Sequence, residues 1–191
     1  YNLGRAFEYR LNNLKRSYIF SKTHFDRGVY RENEEQIEKN KVVNEYMFNY
    51  YAEIFYYHIV TLKDSILQII NSFYDCGLEE YQVDNNRLIK KVDILGNEMI
   101  DILEEINNDE IIFNKIRNTF THQFPNNISD NRLKKKTTQT SYLYSIENEN
   151  GEYYVSGKNH QPEILMNNIN LSLLQIDKFI GRTKEIINVH R

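Results

Sequence analysis

A single cysteine, two prolines, seven glycines and no tryptophan are spread over 191 residues. One thiol, Cys76, can neither close an intramolecular disulfide nor build a cysteine zinc cluster. A reducing compartment and a structural thiol at a helix end are therefore expected. So few turn-forming residues cannot punctuate a many-stranded sandwich and suit a few long helices instead. No apolar run reaches the roughly 20 residues of a membrane span, because the most hydrophobic stretch, Phe48 to Leu62, is broken by Asn49, Glu53 and His58. The chain opens at Tyr1 with amphipathic sequence, so no signal peptide is expected, the absent Met is read as trimming or a fragment, and the expected location is cytoplasmic. An excess of positive charge is lacking too. Lys and Arg number 24 against 27 Asp and Glu, a formal net charge of -3, so RNA binding would need a local basic patch.

What is present is the material of a folded core. Hydrophobic residues make up 40%, charged residues 27% and aromatic residues 13%, with 15 Tyr and 10 Phe, which excludes disorder. The length suits one domain over residues 1–191. Leu3, Phe7, Leu11, Leu14 and Tyr18 recur at helical intervals and predict a first helix. Thr23 to Gly28 reads as a turn, with a solvated, charge-mixed lead-in around Glu32 to Asn40. From Val43 to Phe73 helical spacing is sustained through Phe55, Leu62, Ile66 and Ile70, and Gly77 is the expected left-handed cap.

A further helix is expected from Asp84, with Leu88, Val92, Leu95, Met99, Ile102, Leu103 and Ile106 on one stripe. A shorter one should run from about Asp109 to His122, stopped by Pro125. Between Asn126 and Gln161 the period changes. Tyr142, Tyr144 and Ile146 alternate with smaller or polar residues, and Asn148 to Gly151 precedes Tyr153-Tyr154-Val155, the pattern of a β-hairpin inserted between helices. Pro162 suits the first turn of a last helix carrying Ile164, Leu165, Ile169, Leu173, Ile176, Ile180 and Ile187. The expected fold class is mainly α, an up-and-down bundle of about five helices.

The residues that could carry chemistry are Arg117, Asn118 and His122, at the end of the short helix. Arg-polar-x-x-x-His at such a position resembles the signature of the HEPN superfamily, helical domains of toxin and defence ribonucleases. In an ideal helix five steps separate Arg117 and His122 by about 140°, so one copy does not converge them unless the helix loosens at His122. The resemblance implies a homodimer in which the motifs of two protomers face one cleft. Metal-independent RNA cleavage needs a proton-transfer group near neutral pH and a cation on the pentacovalent phosphate. His122 fits the first and Arg117 the second, with Asn118 orienting either partner. The resemblance implies single-stranded RNA as substrate, a 2′,3′-cyclic phosphate and a 5′-hydroxyl as products, and an antitoxin or regulatory partner. In HEPN toxins paired with a minimal nucleotidyltransferase, a Tyr two residues after the His can receive AMP. Phe124 stands there and has no hydroxyl.

Two alternatives stay open. The motif can be helix-end structure, with His122 favoured by the helix dipole, in a catalytically inactive module that binds RNA, a nucleotide or a partner protein. The basic run Arg132, Lys134, Lys135 and Lys136, followed by Tyr142 and Tyr144, can hold RNA phosphates beneath stacked bases or be a solvated loop. His58 lies on the apolar stripe of the central helix and is read as a core or interface residue. His24, His160 and His190 have no zinc-site spacing. Glu79-Glu80 and Glu104-Glu105 are neighbours in sequence that diverge on a helix, expected on solvated faces. No metal and no cofactor is called for.

Overall fold

The computed structural model describes residues 2–29, 38–107, 143–147, 153–157 and 162–189, the two short stretches as backbone. The architecture is mainly helical. Helix α1 (Leu3–Asp26) begins at Asn2, whose side chain accepts from the Arg5 backbone N–H at 3.3 Å. Its core face carries Leu14, Ser17 and Ser21. The two buried serines donate back to their own helix, Ser17 to the Leu14 carbonyl at 2.8 Å and Ser21 to the Ser17 carbonyl at 2.9 Å. Small, internally satisfied side chains let a neighbouring helix approach closely.

That neighbour is α2 (Lys39–Phe73), 35 residues long. The two helices run antiparallel. Phe25 meets Phe48 at 5.5 Å between ring centroids, Tyr18 meets Phe55 at 6.5 Å, and the Arg10 guanidinium reaches the Thr61 carbonyl at 3.1 Å and the Ser65 hydroxyl. The turn expected at Thr23 to Gly28 comes later than the sequence pattern suggests. The helix continues through Asp26 because Phe25 has a core partner and Thr23 returns its hydroxyl to the Ile19 carbonyl at 2.7 Å. Gly28, at φ 90°, then takes the left-handed conformation. At the far end α2 stops at Phe73, short of Gly77. Asp75 at φ 50° takes the first left-handed position and Gly77 at φ 68° the second. Asn71 secures this exit by donating to the Leu78 carbonyl and accepting from the Leu78 N–H. Cys76 is buried there.

The long helix expected from Asp84 is three pieces. Asp84 does cap a helix, accepting from the Arg87 N–H at 2.8 Å, but α3 (Asn85–Ile89) and α4 (Val92–Leu95) are short. Gly96, at φ 73° and ψ 163°, separates them from α5, residues 97–107. The break turns Val92 out to solvent while Leu88, Leu95, Met99, Ile102, Leu103 and Ile106 stay buried. The pieces remain joined through Asn85, buried, whose amide donates to the Leu103 carbonyl at 2.7 Å.

Strands β1 (Leu143–Glu147) and β2 (Tyr153–Gly157) pair antiparallel, with Ser145 opposite Val155. Helix α6 (Pro162–Val189) closes the described chain and packs on α1 and α2. Its inward face is Leu165, Met166, Ile169, Ser172, Ile176, Phe179 and Thr183. Ile164, expected inward, is exposed, because the face is rotated towards Met166 and Phe179. The Tyr18 hydroxyl donates to Asn170 on α6 at 3.1 Å. The Tyr56 hydroxyl, deep in α2, has Ser172 as its polar neighbour, and burial pushes its pKa well up against the opposing effect of that serine.

Candidate functional site

Arg117, Asn118 and His122 lie outside the described residues, as do Phe124, Arg132, Lys134, Lys135, Lys136 and the short helix expected over 109–122. The structure describes α5 over 97–107 and α6 from Pro162, the elements on either side of that part of the sequence. Glu105, on α5, accepts from both Lys178 and Arg182 of α6. The two cations are four residues apart and so share one helix face. The carboxylate between them ties α5 to the middle of α6. The hydrogen bond from Lys178 holds the Glu105 carboxyl below its ordinary value of 4.5, with Arg182 adding to the effect and slight burial opposing it. Glu105 was expected on a solvated face; the fold gives it two partners.

Beside this junction Ile102, Ile106 and Phe179 floor a shallow surface depression rimmed by Glu105, Gln175, Lys178 and Arg182. Two cations and one carboxylate leave the rim one positive charge in excess.

The described histidines stand elsewhere. His24 shares a 3.1 Å contact with the Asn44 side chain and stacks on Tyr51 with ring centroids 5.9 Å apart. Asn44 in turn donates to the Gly28 carbonyl at 3.1 Å, so the pair pins the exit from α1. His58 is half-buried on α2, and burial lowers its pKa, favouring the neutral ring. Neither is within a group of His, Cys, Asp and Glu able to hold a metal among the described residues. Glu79 accepts and Gln82 returns the bond in a capping box at residues 80–82, while Glu80 is exposed. Among the described residues no helix is long and apolar enough to cross a membrane.

A family model, HEPN_Cthe2314-like HEPN, matches residues 3–178, from the first turn of α1 to Lys178 in α6. The chain belongs to this family. No curated protein and no solved structure is significantly similar to it. The HEPN match encloses residues 117–122 and the Glu105–Lys178 contact alike. What sequence reasoning missed in this HEPN chain is that contact. The signal was there in part, in the spacing of Lys178 and Arg182. Their partner is more than seventy residues away in sequence, and no local pattern points that far.

Proposed function

We propose that this HEPN chain is a metal-independent endoribonuclease of the toxin or phage-defence type, cutting single-stranded RNA at a cleft shared by Arg117 and His122 of two copies. The observation that carries the reading is Arg117-Asn118-x-x-x-His122 inside the span matched to the HEPN family.

In this mechanism the ribose 2′-oxygen attacks the adjacent phosphorus while the bond to the 5′-oxygen breaks. His122 moves the proton, taking one from the 2′-hydroxyl or giving one to the leaving 5′-oxygen, since an imidazole titrates near neutral pH. Arg117 answers the charge on the pentacovalent phosphorus with a permanent, two-point donor, and Asn118 orients the phosphate or the imidazole. Arg132 and Lys134 to Lys136 draw the RNA backbone in against a net negative chain. The segment 126–161, hairpin included, is an insertion that shapes the approach to the cleft. Phe124 offers no hydroxyl for AMP, so an antitoxin or regulatory partner would act by another route.

The test is incubation with end-labelled single-stranded RNA in excess EDTA, beside folded Arg117→Ala and His122→Ala variants. The expected result is cleavage by the parent chain alone, leaving cyclic-phosphate ends, with activity reduced at least about a hundredfold in each variant. No cleavage of varied RNAs, or equal cleavage by all three proteins, would assign the chain to catalytically inactive HEPN modules.

A further inference from the structure

Helix α2 is apolar on two sides. One side builds the core through Phe48, Ala52, Phe55, Ile59 and Ile66. The opposite side faces solvent and is unusually rich in tyrosine: Tyr46 is 60% exposed, Tyr50 49% and Tyr57 39%. A surface helix ordinarily turns a charged face to water, and a continuous aromatic face marks a contact surface. The apolar area continues onto α1, since Tyr50 meets Tyr51 edge-on at 5.2 Å and Tyr51 stacks on exposed Phe20 at 4.9 Å.

The spacing of this face is regular. Positions 39, 43, 46, 50, 53, 57, 60 and 64 advance in alternating steps of four and three, the seam of a left-handed coiled coil. Lys39, Val43, Tyr46, Tyr50, Tyr57 and Asp64 are exposed and Glu53 half-buried; only Val60 is taken into the chain's own core. The charges decide what fits. A parallel copy would set Lys39 on Lys39, Glu53 on Glu53 and Asp64 on Asp64. An antiparallel copy, related by a two-fold axis between residues 51 and 52, sets Lys39 opposite Asp64, Tyr46 opposite Tyr57 and the Tyr50 hydroxyl opposite the Glu53 carboxylate. These three layers are complementary and each occurs twice, while Val43 falls opposite Val60, which its own core takes up. Two carboxylates against one ammonium make the same face a poor platform for RNA phosphates.

We propose that two copies of this chain associate antiparallel through this face of α2. Glu53 is consistent with such a place, since partial burial already raises its carboxyl pKa in the single chain. Asp64 has Lys63 of its own helix at 3.6 Å, and its side chain is 56% exposed. The interface stands on α2 alone and does not depend on the ribonuclease reading.

The experiment is light scattering and sedimentation of the full chain over micromolar concentrations, with helicity and melting followed in parallel. The parent chain is expected to be a dimer. Tyr50→Glu, which sets Glu against Glu53 of the second copy at two symmetric places, should weaken association about tenfold or more without changing helicity. Lys39→Asp should weaken it also, and Lys39→Asp combined with Asp64→Lys should restore it, since the swap recreates the same pair with its signs exchanged. A parent chain that stays single throughout, a dimer indifferent to Tyr50→Glu, or a double swap that does not rescue would each overturn the interface. RNA cleavage on the same samples separates the two proposals. A dimer that does not cleave leaves the interface standing and removes the nuclease, whereas cleavage by a persistent monomer overturns the interface and the shared cleft but keeps the nuclease activity.

Discussion

Glu105 shows how one side chain can serve two partners without being buried. Lys178 and Arg182 are also partly exposed, so solvent screens the contact and its worth is that of a small surface network, about 1 kcal/mol. The folded-state pKa of Glu105 is depressed, so its stabilisation is complete above the ordinary value of 4.5 and is lost as the pH falls through the folded value. Glu105→Gln is therefore expected to destabilise by about 1 kcal/mol at neutral pH, with the gap closing in denaturant titrations carried below pH 4.5. A gap independent of pH would mean that the charge is irrelevant. Tyr56 and Ser172 pose the buried counterpart. Ser172→Ala and Tyr56→Phe are each expected to cost no more than about 1 kcal/mol, and combined less than the sum of the singles. A strictly additive double-mutant cycle would show that the two hydroxyls do not interact.

At the scale of elements, the break between α4 and α5 is set by a backbone conformation. Gly96 sits at φ 73° and ψ 163°, a region almost closed to other residues. A Cβ there would meet nothing within 4 Å, so the cost of Gly96→Ala is conformational and not steric. About 1–3 kcal/mol of destabilisation is expected in thermal or chemical unfolding. An unchanged midpoint would show that the turn can rearrange. The break matters because it re-aims α5: Met99, Leu103 and Ile106 reach the core while Glu105 reaches α6. The α1–α2 pair is the firmer element. Buried aromatic contacts and the Arg10 bridge hold it along its length.

At the scale of the whole molecule, the proposed ribonuclease site draws Arg117 and His122 from two copies, since five steps of an ideal helix set them about 140° apart. Mixing Arg117→Ala with His122→Ala protein tests this directly. In a random mixture half of the dimers carry both variants, and each such dimer keeps one intact Arg–His combination across the two chains. Recovery to about a quarter of the parent's RNA cleavage is expected. No recovery above either variant alone would mean that each chain works with its own pair.

The sequence by itself determined α1, α2, α6 and most of the described core, because 3.6-residue periodicity and one-sided burial are the same fact seen twice. Leu14, Phe55, Met99, Leu103 and Ile169 follow from spacing, and Asp84 as a cap follows from its chemistry. The HEPN motif was legible for the same reason, being a short fixed spacing of two chemically distinctive residues. The tertiary structure decided which face meets what. It extended α1 through Asp26 by giving Phe25 a partner, broke the stripe after Leu88, rotated α6 so that Ile164 faces water, and turned Glu105 from a solvated residue into a junction. It also showed that the tyrosines of α2 do not all serve one purpose, with Tyr56 fully buried and Tyr46 and Tyr50 in solvent. Periodicity ranks residues by face within one helix, but contacts across more than seventy residues depend on how helices rotate and pack, which no local spacing encodes.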